Sequence, residues 1–280
     1  MNAFHSRDQR RAPPPVAAQA PVARKAGFAR ADQLLAQRGQ AASRTAAREL
    51  IAQGRVSWQG QRVSKPAQAL PQAAVLDVAA PDAADATGRY VSRGGIKLAG
   101  ALQASGMRVR GACCLDVGQS TGGFTDCLLQ HGASRVVGLD VGHGQLHPRL
   151  RQDARVLCLE GVNARHLDAR ALAGVAGQAR FDRVVGDVSF ISLTLVLPAL
   201  VPVLAEGGEL LMLVKPQFEL QPAQIGKGGI VRDAALYADV QQRIRHALTR
   251  LGLQTLGWFA SPITGGDGNR EFFVHAASGR

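Results

Sequence analysis

Short apolar runs alternate with amphipathic stretches along the chain from about residue 90 to its end. Seven of these runs have the length of a strand, and the stretches between them have helical periodicity. This alternation indicates a mostly parallel β-sheet with helices on its faces, and seven strands predict an α/β, Rossmann-like, doubly wound fold. The predicted strands are Cys113 to Val117, Arg135 to Asp140, Arg155 to Leu159, Arg183 to Asp187, Glu209 to Val214, Thr255 to Phe259 and Phe272 to His275.

The region before residue 80 has a different pattern, with two short helical periods followed by two short strands. The first helix is expected from Arg30 to Arg38 and the second from Ser43 to Gln53, each closed by a glycine. Strands from Arg55 to Trp58 and from Arg62 to Val63 are joined through Gln59-Gly60, which is typical of a tight hairpin. This order predicts a small α+β domain.

Composition divides the chain into four segments. Residues 1–27 are rich in arginine and poor in acidic residues, and Pro13-Pro-Pro15 breaks any helix, so we expect a disordered basic tail. Residues 80–89 have the composition of a linker. We therefore predict the small domain over residues 28–79 and the α/β domain over residues 90–280.

The net charge of +12 is concentrated at the front of the chain. Residues 1–70 carry 12 basic and 3 acidic side chains, which favours a polyanionic partner such as a nucleic acid. An acidic protein partner or a high-GC coding bias would also explain clustered arginine, so charge alone leaves these alternatives open.

The cysteines and the apolar stretches exclude two other kinds of protein. The four cysteines have neither the spacing nor the paired histidines of a zinc site, so we expect reduced thiols and no metal. The longest apolar stretch, from Leu193 to Ala205, contains Pro198 and Pro202 and is too short to span a bilayer. We therefore expect a cytoplasmic protein.

A glycine-rich loop, Leu115-Asp-Val-Gly-Gln-Ser-Thr-Gly-Gly-Phe124, follows the first predicted strand of the α/β domain. Its spacing is G-x-x-x-G-G rather than G-x-G-x-x-G, which disfavours a dehydrogenase. Asp116 could hold the ammonium of an amino-acid-bearing cofactor, and Asp140 at the next strand end could accept hydrogen bonds from a ribose. Together they indicate S-adenosylmethionine. Alternatively, such aspartates only cap the following helix.

The remaining candidate cofactor contacts lie in the same loop and after the third strand. Asn163 could bind an adenine, although an asparagine in a loop is commonly only a turn residue. The full set of expected cofactor residues is Asp116, Gly118, Ser120, Gly122, Gly123, Phe124, Asp140 and Asn163.

Lysine is scarce, with 5 Lys against 28 Arg, so its positions are informative. Lys215 ends the apolar run Leu210 to Val214, and Lys97 lies just before the glycine-rich loop. A buried lysine can lose its proton whereas an arginine stays charged, so these lysines are candidates for proton handling. The alternative is a solvated strand end and an ordinary helix lysine.

An ordered set of positions runs through the two short helices and the hairpin. It consists of R-x-D-x-x-L, then G, then S-R-x-x-A-x-x-L-I-x-x-G-x-V, and finally G-x-x-V-x-K-P. Its members are Arg30, Asp32, Leu35, Gly39, Ser43, Arg44, Ala47, Leu50, Ile51, Gly54, Val56, Gly60, Val63, Lys65 and Pro66. This pattern resembles the S4 RNA-binding domain, and the resemblance implies that Arg44, Arg48 and Arg55 lie at RNA phosphates.

Two lysines and two carboxylates occupy corresponding places in the second domain. Lys97 precedes the loop, Asp187 and Lys215 end the fourth and fifth strands, and Glu271 begins the last. They resemble the Lys-Asp-Lys-Glu set of the FtsJ-like ribose 2′-O-methyltransferases. Carboxyl ends of parallel strands meet at one edge of a sheet, so we expect these side chains to meet there.

Four longer segments extend the resemblance. They are Tyr90-Val-Ser-Arg-Gly-Gly95, Asp187-Val-Ser-Phe-Ile-Ser192, Val214-Lys-Pro-Gln-Phe-Glu219 and Gly226-Lys-Gly-Gly-Ile-Val-Arg-Asp233. With the S4 pattern they make residues 28 to 277 similar to the TlyA family. The resemblance implies S-adenosylmethionine-dependent methylation of ribose 2′-hydroxyls of cytidines in ribosomal RNA, with ribosomal subunits as partners.

The implied reaction is an in-line attack of a ribose oxygen on a sulfonium methyl, so a base must take the hydroxyl proton. Lys215 is the candidate base, Lys97 orients the hydroxyl, and Asp187 and Glu271 hold the two ammonium groups. Burial beside a cation lowers a lysine pKa from about 10.4 towards roughly 7–8, whereas nearby carboxylates raise it. The sequence leaves the direction open.

The RNA contacts implied by the resemblance extend into both domains. They are Arg30, Arg44, Arg48, Arg55, Arg93, Lys227 and Arg232, with Lys227 in a glycine-rich loop expected to be mobile over the substrate; a solvated surface loop is the alternative. Three departures from the family pattern flank the cofactor loop, at Gln119, His143 and His147-Pro148, and are expected to change cofactor affinity more than chemistry.

Two alternative functions stay open. One is an S4-type RNA-binding or ribosome-assembly protein whose methyltransferase fold is inactive, and the other is a membrane-lytic protein, since a hemolysin label also attaches to the family. The modified nucleotides, the subunit, the choice between naked RNA and an assembled subunit, and the oligomeric state are left open.

Overall fold

The computed structural model describes residues 27–41, 44–52, 54–79 and 89–278, without the side chains of Thr45, Glu49, Ala52 and Lys227. Most of the expected tail (residues 1–26) and linker (residues 80–88) lies outside the described residues, as do Ser43 and Gln53 at the ends of the second predicted helix.

The small amino-terminal region contains two helices and two short sheets. In chain order its elements are β1 (Phe28–Arg30), α1 (Ala31–Gln37), α2 (Arg44–Ala52), β2 (Val56–Trp58), β3 (Gln61–Arg62), β4 (Ala69–Pro71) and β5 (Asp77–Val78). Strand β1 pairs with β4, and β2 pairs with both β3 and β5, all antiparallel. An apolar core that includes Leu34, Leu35 and Ile51 joins the two helices to the strands.

The hairpin between β2 and β3 forms where the sequence predicts it. Its two turn residues, Gln59 and Gly60, have φ values of 52° and 75°. Left-handed backbone at both central residues matches the right-handed twist of the paired strands, which is why a glycine is favoured there.

A seven-stranded sheet forms the centre of the second region. Its strands are β6 (Cys113–Val117), β7 (Arg135–Asp140), β8 (Val156–Glu160), β9 (Phe181–Gly186), β10 (Leu204–Val214), β11 (Leu253–Ala260) and β12 (Phe272–Ser278). Their order is β11-β12-β10-β9-β6-β7-β8, with β12 antiparallel to both of its neighbours and the other pairs parallel. This is the predicted mostly parallel sheet of an α/β fold, and all seven predicted strands are present.

Helices cover both faces of this sheet. They are α3 (Gly94–Ser105), α4 (Gly123–Gln130), α5 (Pro148–Arg151), α6 (Ala169–Ala176), α7 (Leu197–Leu200), α8 (Pro216–Glu219) and α9 (Leu236–Arg250), together with short 3₁₀ turns. The sheet is buried on both faces because its central strands are continuous apolar runs, as in parallel sheets generally. In the part of the chain that is described, no helix is both long and apolar enough to cross a membrane.

Candidate active site

The carboxyl ends of four neighbouring strands, β7, β6, β9 and β10, open onto one cavity of about 420 Å³. Its walls contain all four predicted catalytic residues and most of the predicted cofactor residues. From the amino-terminal region, Arg48 and Arg55 also line it. The cavity is therefore formed by both regions of the chain.

The four predicted catalytic residues meet in a network of ion pairs. Lys97 on α3 lies 2.5 Å from Glu271 Oε2 and 3.9 Å from Asp187 Oδ2, measured from its Nζ. Lys215 forms an ion pair with Asp187 and donates a hydrogen bond to Ser189 Oγ at 2.7 Å. The side chains of the two lysines are only 7% and 11% exposed, so both ammonium groups are largely removed from water.

Burial and the charges inside this network together determine the direction in which the pKa of Lys215, of Asp187 and of Glu271 is shifted. Burial lowers the pKa of Lys215, but the carboxylates of Asp187 and Glu271 more than offset this, and the pKa lies above its ordinary value. Burial raises the pKa of Asp187, and Lys215 and Lys97 reverse that effect and hold it low. Burial keeps the pKa of Glu271 above its usual range despite the two lysines. The direction left open by the sequence is thus upward for Lys215, and its ammonium form is favoured in the protein without RNA.

The glycine-rich loop runs close to this network. At Gly118, φ is +82°, and an added Cβ would lie 2.6 Å from the carbonyl oxygen of Asp187. At Gly123 an added Cβ would lie 2.3 Å from Ser92 Oγ, and at Gly122 (φ +95°) it would meet the side chain of Leu150. Side chains at these positions would displace the loop, so the glycines are required for the close approach of the loop to its neighbours.

Asp140 and Ser120 hold the loop against the end of β7. Asp140 Oδ2 accepts a hydrogen bond from the Ser120 backbone N at 2.6 Å, and its Oδ1 accepts one from the Gly142 N at 2.7 Å. Ser120 itself has a left-handed backbone with φ +48°. Both residues line the cavity, as the sequence predicts, and Asp140 also has the local turn-forming role of the alternative interpretation.

Asn163 and Phe124 complete the predicted cofactor wall. Asn163 lines the cavity, and its side chain accepts a hydrogen bond from the Arg165 N at 3.0 Å, so it also caps the 3₁₀ turn Ala164–His166. Phe124 is buried and stacks on Phe273 with ring centroids 6.1 Å apart. Its ring therefore anchors the start of α4 against β12.

Asp116 and Gly122 are the exceptions among the predicted cofactor residues, because neither lines the cavity; the side chain of Asp116 shows why. The side chain of Asp116 is fully buried behind the loop, and its Oδ2 accepts a hydrogen bond from Thr125 Oγ1 at 2.6 Å. Burial raises its pKa to about 7. The alternation of side chains along β6 directs this carboxylate towards α4, and its expected contact with an ammonium stays a prediction.

The predicted RNA-contacting arginines occupy different environments. Arg30 and Arg44 both pair with the fully buried Asp32, at 2.8 and 3.2 Å. The guanidinium of Arg48 lies 4.8 Å from the ring centroid of Phe190, and Arg55 donates to the carbonyl of Ala79 at 3.0 Å. The first two therefore stabilise the small region, whereas Arg48 and Arg55 reach the cavity.

The other predicted RNA contacts lie in the second region. Arg93 lines the cavity beside Asp187 and helps to lower the pKa of its carboxyl. Arg232 is exposed, and the side chain of Lys227 lies outside the described residues. The loop that contains Lys227 is tied down by Asn269, which accepts from the Val231 N at 2.9 Å and donates to the Gly229 carbonyl at 2.9 Å. The structure thus gives the expected mobile loop two fixed points.

Sequence reasoning missed the residues that shape the segment after β9. Phe190 has a left-handed φ of +63° and packs on Phe218, with ring centroids 5.1 Å apart. Glu219 is buried, and its carboxylate accepts from Ser192 Oγ and from the Leu193 N, both at 2.6 Å. Burial raises the pKa of Glu219. The signal was the acidic Glu219 between two apolar residues, Phe218 and Leu220.

The departures from the family pattern are partly explained by local structure. His147 caps α5, since its Nδ1 accepts from the Arg149 N at 3.2 Å, and Pro148 occupies the first turn of that helix, where a proline is favoured. His143 Nδ1 lies 3.7 Å from Glu160 Oε2. Gln119 is buried beside the loop. Their effect on cofactor affinity stays a prediction.

A seven-stranded sheet of this order, with a glycine-lined cavity and paired lysines at its carboxyl edge, is the architecture of a Rossmann-like methyltransferase. The profile of the FtsJ-like methyltransferases matches residues 90–278, and that of the S4 domain matches residues 29–74. The chain therefore belongs to the FtsJ-like methyltransferase family and carries an S4 domain. It is an S-adenosylmethionine-dependent methyltransferase, which confirms the expected class of enzyme and its cofactor.

Relatives extend this similarity over most of the chain. It is 46% identical over 246 residues to the 16S/23S rRNA (cytidine-2′-O)-methyltransferase TlyA of Mycobacterium tuberculosis, with 88% of each chain covered. It is 36% identical to Hemolysin A of Brachyspira hyodysenteriae, covering 88% of this chain and 98% of that one. A solved structure of a candidate hemolysin from Streptococcus thermophilus has a TM-score of 0.65 and 37% identity, covering 90% and 89% of the two chains. The predicted resemblance to the TlyA family is confirmed.

Proposed function

We propose that the chain transfers a methyl group from S-adenosylmethionine to ribose 2′-hydroxyls of cytidines in ribosomal RNA. The observation that carries this proposal is the juxtaposition of two buried lysines, each held by a carboxylate, with a glycine-lined cofactor cavity. The name of the Mycobacterium tuberculosis relative, a 16S/23S rRNA (cytidine-2′-O)-methyltransferase, supports the choice of cytidine and of ribosomal RNA.

The residues of the cavity fit the proposed methyl donor. The volume lies within the range of small-molecule sites, and Gly118 and Gly123 present backbone without a side chain in the cavity wall. We assign its binding to six residues that line the cavity, Gly118, Ser120, Gly123, Phe124, Asp140 and Asn163, and to Gly122 in the same loop, with Asp116 acting from behind the loop. When bound, the donor supplies an activated methyl group on a sulfonium.

The tetrad would position the ribose and accept its proton. Lys97, fixed by Glu271, orients the attacking hydroxyl, while Lys215, fixed by Asp187, faces the same space. The carboxylates favour the ammonium form of Lys215, so proton acceptance requires that its pKa falls when positive charge enters the cavity and water leaves it. Until then its role is to align the oxygen, which lowers the entropic barrier to attack.

The S4 domain would bring the RNA to this cavity. Arg48 and Arg55 extend from the small region to its rim, and Arg93 lies on the opposite domain. Arg232 and Lys227 are proposed to contact phosphates further out, and Arg30 and Arg44 to do so with the faces that Asp32 leaves exposed. A ribosomal substrate also implies that the protein works in the cytoplasm.

The two proposed activities, RNA binding and methyl transfer, belong to separate parts of the chain. We propose residues 28–79 as the RNA-binding domain and residues 90–280 as the methyltransferase domain, with residues 80–89 as linker and 1–27 as a basic tail. The profile matches to residues 29–74 and 90–278 support the two domains.

The proposal is tested by methyl transfer to ribosomal RNA from cells that lack the gene. Wild-type protein with labelled S-adenosylmethionine should modify cytidine 2′-hydroxyls, mapped by their resistance to alkaline cleavage. Lys215→Arg should lose about 10²–10⁴-fold in rate, because arginine keeps its proton. Arg180→Lys, which changes an exposed cation at the opposite edge of the sheet, should transfer normally.

Each outcome bears on a separate claim. Full activity of Lys215→Arg would exclude proton acceptance by this lysine. Donor binding in calorimetry without transfer to any ribosomal RNA would reject the proposed substrate, and failure of wild-type protein to bind the donor would favour an inactive RNA-binding protein.

A further inference from the structure

A buried polar relay lies directly behind the cofactor loop, between the loop and the end of β6. Gln119 Nε2 donates to Thr125 Oγ1 at 2.8 Å, and Thr125 Oγ1 donates to Asp116 Oδ2 at 2.6 Å. Gln119 is 3% exposed, and Thr125 and Asp116 are fully buried. Burying three polar side chains costs free energy unless they are hydrogen-bonded, so their presence behind the loop indicates a role beyond packing.

The sheet makes room for the glutamine at one position. An added Cβ at Gly138 would lie 2.0 Å from Cδ and 2.1 Å from Nε2 of Gln119. Gly138 on β7 is also the register partner of Asp116 on β6. The amide of Gln119 thus occupies the place of a missing side chain beside Asp116, and the two residues form a matched pair of glutamine and glycine.

Two acceptor oxygens of the relay have no hydrogen-bond partner in the described part of the chain. They are Asp116 Oδ1 and Gln119 Oε1, and both are buried. Buried acceptors normally have a partner, so we expect a positive charge or a hydrogen-bond donor close to these two oxygens. Of the relay, Gln119 lines the cofactor cavity whereas Asp116 does not.

We propose that Gln119 is a positioning residue for the methyl donor, which through Thr125 fixes the Asp116 carboxylate behind the loop so that its negative charge favours the cationic amino-acid end of the donor. This inference rests on the proposed cofactor site. In this inference Asp116 acts on the donor by its electric field across the loop, and direct contact is not needed. Gln119 is the residue of the relay that lies nearest to the cavity.

The carboxyl of Asp116 changes its charge near neutral pH. Burial raises its pKa to about 7, the hydrogen bond from Thr125 lowers it, and the nearby carboxylates of Asp187 and Asp140 raise it. The thiols around it stay neutral in this range because burial raises their pKa, to about 12 for Cys114 and Cys127 and about 11 for Cys158. Loss of the Thr125 hydrogen bond should therefore raise the pKa of Asp116 further.

The sign of the pH dependence follows from this. The ionised carboxylate favours the cationic donor, so binding is strongest above the pKa of Asp116 and weakens as the pH falls through it. A variant with a higher Asp116 pKa loses affinity at a higher pH than wild type does. A residue that only supports the loop would weaken binding equally at every pH.

The test is the dissociation constant of S-adenosylmethionine, measured by calorimetry from pH 6 to 8.5 on the full chain. Thr125→Val removes the hydroxyl at constant shape and should weaken binding about tenfold at pH 7, with the midpoint of its pH profile moved upward. Thr125→Ser restores the donor and should recover the wild-type profile. Gln119→Leu should move the midpoint in the same direction as Thr125→Val, by a smaller amount.

The outcomes separate this inference from the proposed function. The proposed function by itself requires that the wild-type protein bind S-adenosylmethionine. Absence of this binding would therefore overturn the proposed function. A wild-type profile in both Thr125→Val and Gln119→Leu, or a loss that is the same at every pH, would overturn the relay. If Gln119→Leu fails to fold, as judged by circular dichroism, the comparison of Thr125→Val with Thr125→Ser decides.

Discussion

Two aspartates in the chain each contact two cations, but the cations are arginines in one region and lysines in the other. In the S4 domain, Asp32 pairs with Arg30 and Arg44. In the methyltransferase domain, Asp187 pairs with Lys97 and Lys215. Since arginine cannot be deprotonated in a protein, the first cluster is permanently charged, whereas the second can change its charge during a reaction.

Solvent exposure sharpens the contrast. The side chains of Arg30 and Arg44 are 41% and 55% exposed, so their other donors remain open to water or phosphate. The two lysine side chains are almost buried in the cavity wall. A chain that uses arginine nearly everywhere thus has lysine at the place where desolvation and proton exchange matter, which gives the lysine scarcity a structural meaning.

The largest expected effect is from Asp187→Asn. Both lysines would lose a shared negative partner, Lys215 would no longer be aligned with the cavity, and transfer should fall about 10²–10⁴-fold. Donor affinity should stay within a few-fold. The measurement is single-turnover transfer to ribosomal RNA, with Asp153→Asn, a carboxylate paired with Arg155 on the surface, as the control. Retention of the wild-type rate would show that the lysines do not depend on this carboxylate.

A smaller effect, on stability rather than chemistry, is expected from Asp32→Asn. The fully buried carboxylate would be replaced by a neutral amide beside two arginines, at a cost of about 2 kcal/mol in the free energy of unfolding. Urea unfolding at pH 7 measures it, and Asp77→Asn, an exposed carboxyl in the same domain, is the control. Equal stability of both variants would contradict a structural role for the cluster.

The cluster of Asp32, Arg30 and Arg44 also predicts that the stability of the fold depends on pH. Burial raises the pKa of Asp32, but Arg30 and Arg44 outweigh it and hold the pKa below its ordinary 3.8. Because the folded-state pKa is lower than the unfolded one, the stabilisation is fully present above about pH 4. It is lost as the pH falls through the folded pKa, so the difference between wild type and Asp32→Asn should shrink there.

The smallest effect is expected from Arg44→Lys. The exposed side chain would keep its charge near Asp32, and the free energy of unfolding should change by less than about 1 kcal/mol. The same unfolding experiment checks this. Together with the loss of methyl transfer expected for Lys215→Arg, a small change in stability would show that the identity of the cation matters in the cavity and hardly at all in the S4 domain. A large loss of stability in Arg44→Lys would contradict this difference between the two regions.

The strands and the meeting of the tetrad were predictable from the sequence because both follow from hydrophobic pattern. Strand ends after long apolar runs meet at one edge of a parallel sheet, so Asp187 and Lys215 had to be neighbours. The position of Asp116 outside the cavity lining was not predictable, since the face on which a side chain near a strand end lies depends on the register and twist of the sheet. Pattern locates a strand end more reliably than it orients the last side chain.

Contacts between the two regions were also beyond the sequence. The position of Arg48 over the Phe190 ring, and the hydrogen bond from Arg62 to the carbonyl of Gly266, depend on how the two regions pack. The pairing of Arg44 with Asp32 also depends on tertiary packing, here within the small region, because residues twelve positions apart meet only when α1 and α2 are packed.

Strand β12 lies between β10 and β11, although both of these precede it in the chain. Glu271 lies immediately before β12 and pairs with Lys97, and Lys215 lies immediately after β10, whose last residue Val214 is the register partner of Phe272. During synthesis, β10 and β11 therefore emerge from the ribosome first and must leave a gap for the strand still to come. We expect that a nascent chain stays without activity until this strand enters the gap, so completion of folding and assembly of the tetrad coincide in time.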